Sequence, residues 1–180
     1  MLSGPLEGVI VLDFTRVLAG PFCAMILADL GAEVIKIERP KTGDDSRAYT
    51  PIVKGESAYF MSINRGKKSV TLDLKNPKGK EIALRLGEKA DILIENFKPG
   101  VMEKLGLSYE AFAARNPRII YASCSGFGQY GPLSEKPAYD LIVQGLGGIM
   151  SITGPDKNTP TKVGSSIADI FAGVFTAIGI

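Results

Sequence analysis

The stretch VIVLDFTRVLAGPFCAMILADLGAEVIKIE, residues 9–38, decides the fold. Val9-Ile10-Val11-Leu12 is a short, wholly apolar run, the pattern of a strand buried on both faces. A small-residue loop, Leu18-Ala19-Gly20-Pro21, follows it. Helical spacing then runs from Phe22 to Leu30 and stops at Gly31, a residue suited to the turn beyond a helix end. Val34-Ile35-Lys36-Ile37 is the next strand. Strand, helix and strand in so short a span form a βαβ unit, which implies parallel pairing.

The alternation continues outward. Further strands are expected over Ser69 to Leu74, Asp91 to Ile94 and Ile119 to Ser123, with helices starting near Pro77 and Ser108. The fold class is therefore α/β, a Rossmann-like and mostly parallel sheet with helices on both faces. Residues 39–57 and 124–137 are rich in Pro, Gly, Asp and Ser and read as long surface loops, of the kind that either serve a function or cover something. From Ile167 to Ile180 the chain is apolar and small nearly all round, so a helix there expects burial on every side. The sequence ends with nothing to cover it. Residues 1–180 thus read as one α/β domain of a longer chain.

Composition removes several function classes. The chain has 180 residues and a formal net charge of +2, which argues against a nucleic-acid or membrane-surface binder. Cys23 and Cys124 stand far apart and fit buried thiols of a cytoplasmic protein. Met1-Leu2-Ser3-Gly4-Pro5 lacks the basic and apolar regions of a signal peptide, and no run reaches the ~20 apolar residues needed to cross a bilayer. Histidine is absent. That excludes histidine-based acid/base chemistry and most zinc sites, leaving carboxylates, Lys, Tyr, Ser, Cys and backbone groups.

Three features could carry chemistry. A dinucleotide fingerprint would need G-x-G-x-x-G after the first strand, but Asp13 to Pro21 holds one glycine, and late. Glu38 stands where a ribose-binding acid would. Arg39 and Lys41 follow the second strand, and Asn64-Arg65-Gly66-Lys67-Lys68-Ser69 leads into the third. Cations at strand ends suit a ligand with several phosphates, though a solvated loop looks the same. Asp169 is a carboxylate near the start of the apolar helix. Ser166-x-x-Asp169 fits a capping box, while Gly164-Ser165-Ser166 could offer N–H groups to an oxyanion beside a nucleophilic carboxylate. Local sequence allows either role.

Leu12-Asp13-Phe14-Thr15 with Ala19-Gly20-Pro21, Leu30 to Glu38, and Gly43-Asp44 with Arg47 occur in order. So do Asn64-Arg65, Leu72-Asp73-Leu74, Glu95-Asn96-Phe97 with Pro99-Gly100, Gly126-Phe127-Gly128, Tyr139-Asp140, Gln144 and Asp169. Together they closely resemble the front portion of the family III coenzyme A transferases. The resemblance implies that residues 1–180 are the CoA-binding, catalytic domain, with a second domain and a C-terminal return segment beyond them. It implies that Asp169 attacks an acyl-CoA thioester, becomes an aspartyl-CoA thioester, and passes CoA to a small organic acid. It also implies CoA or acyl-CoA as substrate, no permanently bound cofactor, no metal, and an intertwined homodimer. By position, Val17 and Leu18 would line the pantetheine end. Arg39 would sit by the adenosine or phosphates, and Leu72 to Lys75 near the adenine. Asn96, Phe97 and Lys98 would follow along the ligand, Lys104 would add positive charge, and Tyr139 and Asp140 would approach the thioester.

Two departures narrow the expectation. Leu18 replaces a glutamine of formyl-CoA transferases, which argues against formate or oxalate and for a larger acid. Tyr139 stands where the superfamily's racemases carry histidine, which argues against racemisation. The alternatives are another acyl-CoA reaction on this scaffold, racemase or carnitine dehydratase-like, and a CoA-binding fragment without turnover.

Overall fold

The structure is a computed structural model that describes residues 4–180, so Met1 to Ser3 of the leader reading lie outside the described residues. Five parallel strands form the sheet: β1 (Ile10–Asp13), β2 (Glu33–Glu38), β5 (Lys67–Thr71), β6 (Ile92–Glu95) and β7 (Ile120–Ser123). Their order is β5-β2-β1-β6-β7, so the chain reverses its direction of travel across the sheet between β1 and β6. Ligands of open α/β sheets bind at such a switch point, outside the carboxyl ends of the strands.

Alternate residues of the strands feed two cores. Leu12 and Leu93 face Ala83 and Leu84 of α3 (Pro77–Gly87), Met102 of α4 (Val101–Leu105) and Phe112 of α5 (Tyr109–Ala113). Val11, Val34, Ile92 and Ile94 face Cys23, Ala24 and Leu27 of α1 (Ala19–Asp29). Helices therefore cover both faces, as the apolar strand runs require.

Strand ends shift by a residue or so from expectation, and three larger departures each have a local reason. Helix α1 begins at Ala19, not Phe22, because a proline in the first turn lacks only an N–H that has no intrahelical acceptor anyway. Strand β5 runs over 67–71, where it is in register with 34–38 of β2; beyond it the Asp73 side chain accepts from the Lys75 N–H and turns the chain. The 39–57 stretch is not a bare loop. It holds a 3₁₀ turn (Asp45–Ala48) and a hairpin of β3 (Ile52–Val53) and β4 (Glu56–Ser57), and α2 (Ala58–Asn64) follows, capped by Ser57.

The last elements are α6 (Asp140–Leu146), α7 (Ile149–Ile152) and α8 (Ile167–Gly179). Helix α8 lies on α1, and Gly173 permits it: a Cβ there would come within 2.5 Å of the Ala19 carbonyl oxygen. The opposite face of α8 is uncovered, with Phe175 65% and Ile178 72% exposed. Burial on every side is thus not met within these residues. No helix among the described residues is long and apolar enough to cross a membrane.

One buried charge joins the layers. Lys36, in the middle of β2, is 1% exposed. Its Nζ lies 2.9 Å from Asp44 Oδ2 and donates to the Thr15 carbonyl at 2.8 Å. Lys67 Nζ donates to Asp13 Oδ2, the Pro21 carbonyl and Asn64 Oδ1. Burial alone would raise the Asp13 carboxyl, but Lys36, Lys67 and Thr15 together hold it below the ordinary value. Removing one partner of a buried pair strands the other charge. Lys36→Met, which keeps the stem, is expected to lower stability by about 3–5 kcal/mol, read as a shift of the urea unfolding midpoint.

Candidate active site

The first cavity, about 590 Å³, opens at the carboxyl ends of β1, β2, β5 and β6. Its walls include Phe14, Arg39, Leu72, Lys75, Phe97 and Lys98. Glu38 is also there, but it is fully engaged. Its Oε1 accepts from Arg47 Nη2 and Ser69 Oγ, and its Oε2 from Arg47 Nε and the Asp44 N–H. Burial would raise this carboxyl; the Arg47 and Ser69 bonds prevail and bring it to about 2. No acceptor remains for a ribose hydroxyl, which removes the one feature that favoured a nicotinamide nucleotide.

The turn after β1 is held in an unfavourable conformation. Val17 has φ +68°, costly for a β-branched residue, of order 1–3 kcal/mol. Its N–H donates to Asp44 Oδ1 at 3.1 Å. The Asn96 side-chain amide accepts from the Arg16 N–H and donates to the Arg16 carbonyl, both at 2.9 Å. Three such bonds, one to a carboxylate, outweigh the strain. Asn96 therefore supports the backbone of this turn. Leu18, 8% exposed, turns inward against Met25 and Ile63, and Val17 packs beside it.

A second cavity, about 280 Å³, lies at the ends of β6 and β7. Asp169, Tyr139, Cys124 and Lys136 line it, and it shares Arg16, Phe97 and Lys98 with the first. The two are neighbours across that trio, with the Arg16 guanidinium over the Phe97 ring at 5.3 Å. Lys75, Lys98 and Lys136 have no ion-pair partner among the described residues. Arg39 instead bonds Asp45 and the Gly43 carbonyl. Lys104 sits on α4 outside the lining, although its neighbours Val101 and Leu105 belong to it.

Asp169 occupies the first turn of α8 and is half-buried. Among the described residues its carboxylate makes no hydrogen bond or ion pair. Burial, and then the nearby Asp140 carboxylate, raise it above the ordinary aspartate value. The capping-box reading is not what forms, because Ser166 makes no side-chain cap bond. Asp140, reaching from α6, accepts the Ala168 N–H at 2.9 Å instead. Gly164, Ser165 and Ser166 do not line the cavity. Sequence reasoning missed Arg16 and Lys136 as wall residues; the loop composition around them was the only signal. No group of three or more His, Cys, Asp or Glu among the described residues is placed to hold a metal.

The family model for CoA-transferase family III matches residues 6–180. The chain belongs to this family. An acetyl-CoA:oxalate CoA-transferase of Acetobacter aceti is 54% identical over 99% of the chain and 46% of its own length. A succinate–glutarate CoA-transferase of Agrobacterium fabrum is 47% identical over 98% of the chain and 46% of its length. A crystal structure of a CaiB/BaiF family protein from Brucella suis is 46% identical with a TM-score of 0.94, covering 99% of this chain and 48% of that one. The chain spans about half the length of these family III relatives.

An aspartate raised by its surroundings costs stability when ionised. The penalty is absent below the ordinary carboxylate pKa and grows as pH rises to the raised folded value. Asp169→Asn should therefore melt higher than the parent at neutral pH, and the difference should vanish in acid. A thermal melt series over pH measures both.

Proposed function

We propose that this chain is the CoA-binding, nucleophile-bearing part of an enzyme that moves coenzyme A from an acyl-CoA to a small organic acid through a thioester on Asp169. The observation that carries the reading is the unpartnered, half-buried Asp169 carboxylate, facing a cavity that adjoins a larger one with cationic walls. A nucleophile must be free of competing bonds, and a long phosphorylated thioester needs a long, partly cationic channel.

In this reading the Asp169 carboxylate attacks the thioester carbonyl and expels CoA thiolate, leaving a mixed anhydride. The thiolate attacks the aspartyl carbonyl and releases the donor acid, giving the aspartyl-CoA thioester. The acceptor carboxylate then attacks that carbonyl and expels thiolate again. The thiolate attacks the acceptor's acyl carbon, yielding the new acyl-CoA and free Asp169. No proton, metal or redox partner enters the balance. Leu72, Lys75 and Arg39 take the adenosine and phosphate end, Phe97 and Lys98 the middle, and Tyr139 the thioester end. Arg16 and Lys136 suit an acceptor with a second carboxylate, as the names of both relatives suggest for theirs.

The uncovered face of α8 supports a second element of the reading. The working unit includes the further length that relatives have, as an intertwined cytoplasmic homodimer, and this stretch alone binds CoA without turnover.

Incubating the full-length enzyme with an acyl-CoA is expected to leave a CoA or acyl adduct on Asp169, seen by peptide mass spectrometry and lost in Asp169→Asn. A wild-type enzyme that turns over with no such adduct would sink the mechanism. Lys75→Ala and Arg39→Ala are expected to raise the KM for acyl-CoA by about three- to tenfold with little change in kcat.

A further inference from the structure

Gln144 is fully buried, at 0% exposure, in a helix with exposed apolar neighbours. Both ends of its amide are engaged. Nε2 donates to Asp140 Oδ2 at 2.7 Å, and Oε1 accepts from the Val163 N–H at 2.8 Å. The other Asp140 oxygen accepts from the Ala168 N–H. A line of three bonds thus runs from Val163 through Gln144 and Asp140 to Ala168, the residue before Asp169. It grips both ends of the segment that leads into α8.

The polarity of this line is fixed at both ends. A main-chain N–H can only donate, so oxygen must face Val163 and oxygen must face Ala168. Between the two side chains there must then be one donor and one acceptor. Gln144 supplies the donor and Asp140 the acceptor. Helix α8 has no side-chain cap of its own at Ser166, so this borrowed cap sets its first turn.

We propose that Gln144 is a positioning residue for Asp169: through Asp140 it fixes the first turn of α8 and so aims the Asp169 carboxylate into the cavity. The proposal rests on the reading of Asp169 as nucleophile. It makes a prediction that simple loss of packing does not, because the donor and acceptor can be exchanged. In Gln144→Glu two carboxylates face each other. In Asp140→Asn two NH₂ groups face each other, or the glutamine flips and turns its NH₂ toward the Val163 N–H. In the double variant the amide oxygen introduced at position 140 accepts from Ala168. The NH₂ of that amide donates to the carboxylate introduced at position 144, which in turn accepts from Val163. All three bonds return, with the same net charge.

The test is kinetic and spectroscopic, in the full-length enzyme with acyl-CoA donor and acid acceptor. Each single variant is expected to lose about tenfold to a hundredfold in kcat while the KM for acyl-CoA stays within about twofold, and the double variant to recover most of the loss. The Val163 and Ala168 amide protons are expected to exchange faster in both single variants and to regain protection in the double. A double variant no faster than the slower single, or single variants with wild-type kcat, would overturn the proposal. If wild type forms no Asp169 adduct, the mechanism fails while amide exchange still decides the clamp: protection lost in the singles and regained in the double upholds it, and unchanged protection refutes it.

Discussion

Lys36 carries a positive charge into the middle of the sheet, and the geometry of the cavity mouth depends on where that charge is neutralised. Its ammonium draws in Asp44 from the segment after β2 and the Thr15 carbonyl from the turn after β1. The Asp44 Oδ2 contact is an ion pair without a well-aligned hydrogen bond, so charge and not direction holds it. The other Asp44 oxygen then orders its own surroundings, accepting from Val17, Ser46 N–H and Ser46 Oγ. One buried lysine thereby fastens a strained turn and a long excursion of chain to the same point. Buried ion pairs are weak contributors to net stability, but a charge that is costly to leave unpaired specifies position well.

Two helices complete the frame from opposite directions. Helix α1 starts directly from the strained turn, and α8 lies on it at a distance only glycine allows. The wall bearing Arg16 and the wall bearing Asp169 are therefore parts of one packed unit. Glu38 stands where a dinucleotide-binding sheet would present an acid to a ribose, but here Arg47 and Ser69 close it off. An acid so occupied has no free acceptor to offer a ribose.

The sheet is legible in the sequence because each strand is a brief apolar run between turn signals, and parallel strands buried on both faces must read that way. The ordered set of motifs identifies the family. The helices α2, α4, α6 and α7 are not legible; they are four to seven residues long and exist through packing and caps, not through periodicity. Asp169 stands out as a carboxylate in an apolar helix, but the cap of that helix does not, since Asp140 lies 28 residues away in sequence. The inward turn of Leu18 is hidden because the positive φ at Val17 redirects the chain, and no pattern of residue types announces that. Lys36 looks like an ordinary interruption of a strand, its counter-ion being invisible until the chain folds.

The adjacency of the two cavities at Arg16, Phe97 and Lys98 has a kinetic consequence for the proposed chemistry. A ligand anchored by its nucleotide in the larger space keeps its sulfur end within a short leash of Asp169 when the thioester breaks. The departing thiolate is then a tethered reactant, with an effective concentration on the order of millimolar or more, while donor and acceptor acids exchange freely with solvent. Such a layout lets the small partners come and go while the carrier stays. It also makes retention of the free thiolate, more than its generation, the quantity that the cavity walls control.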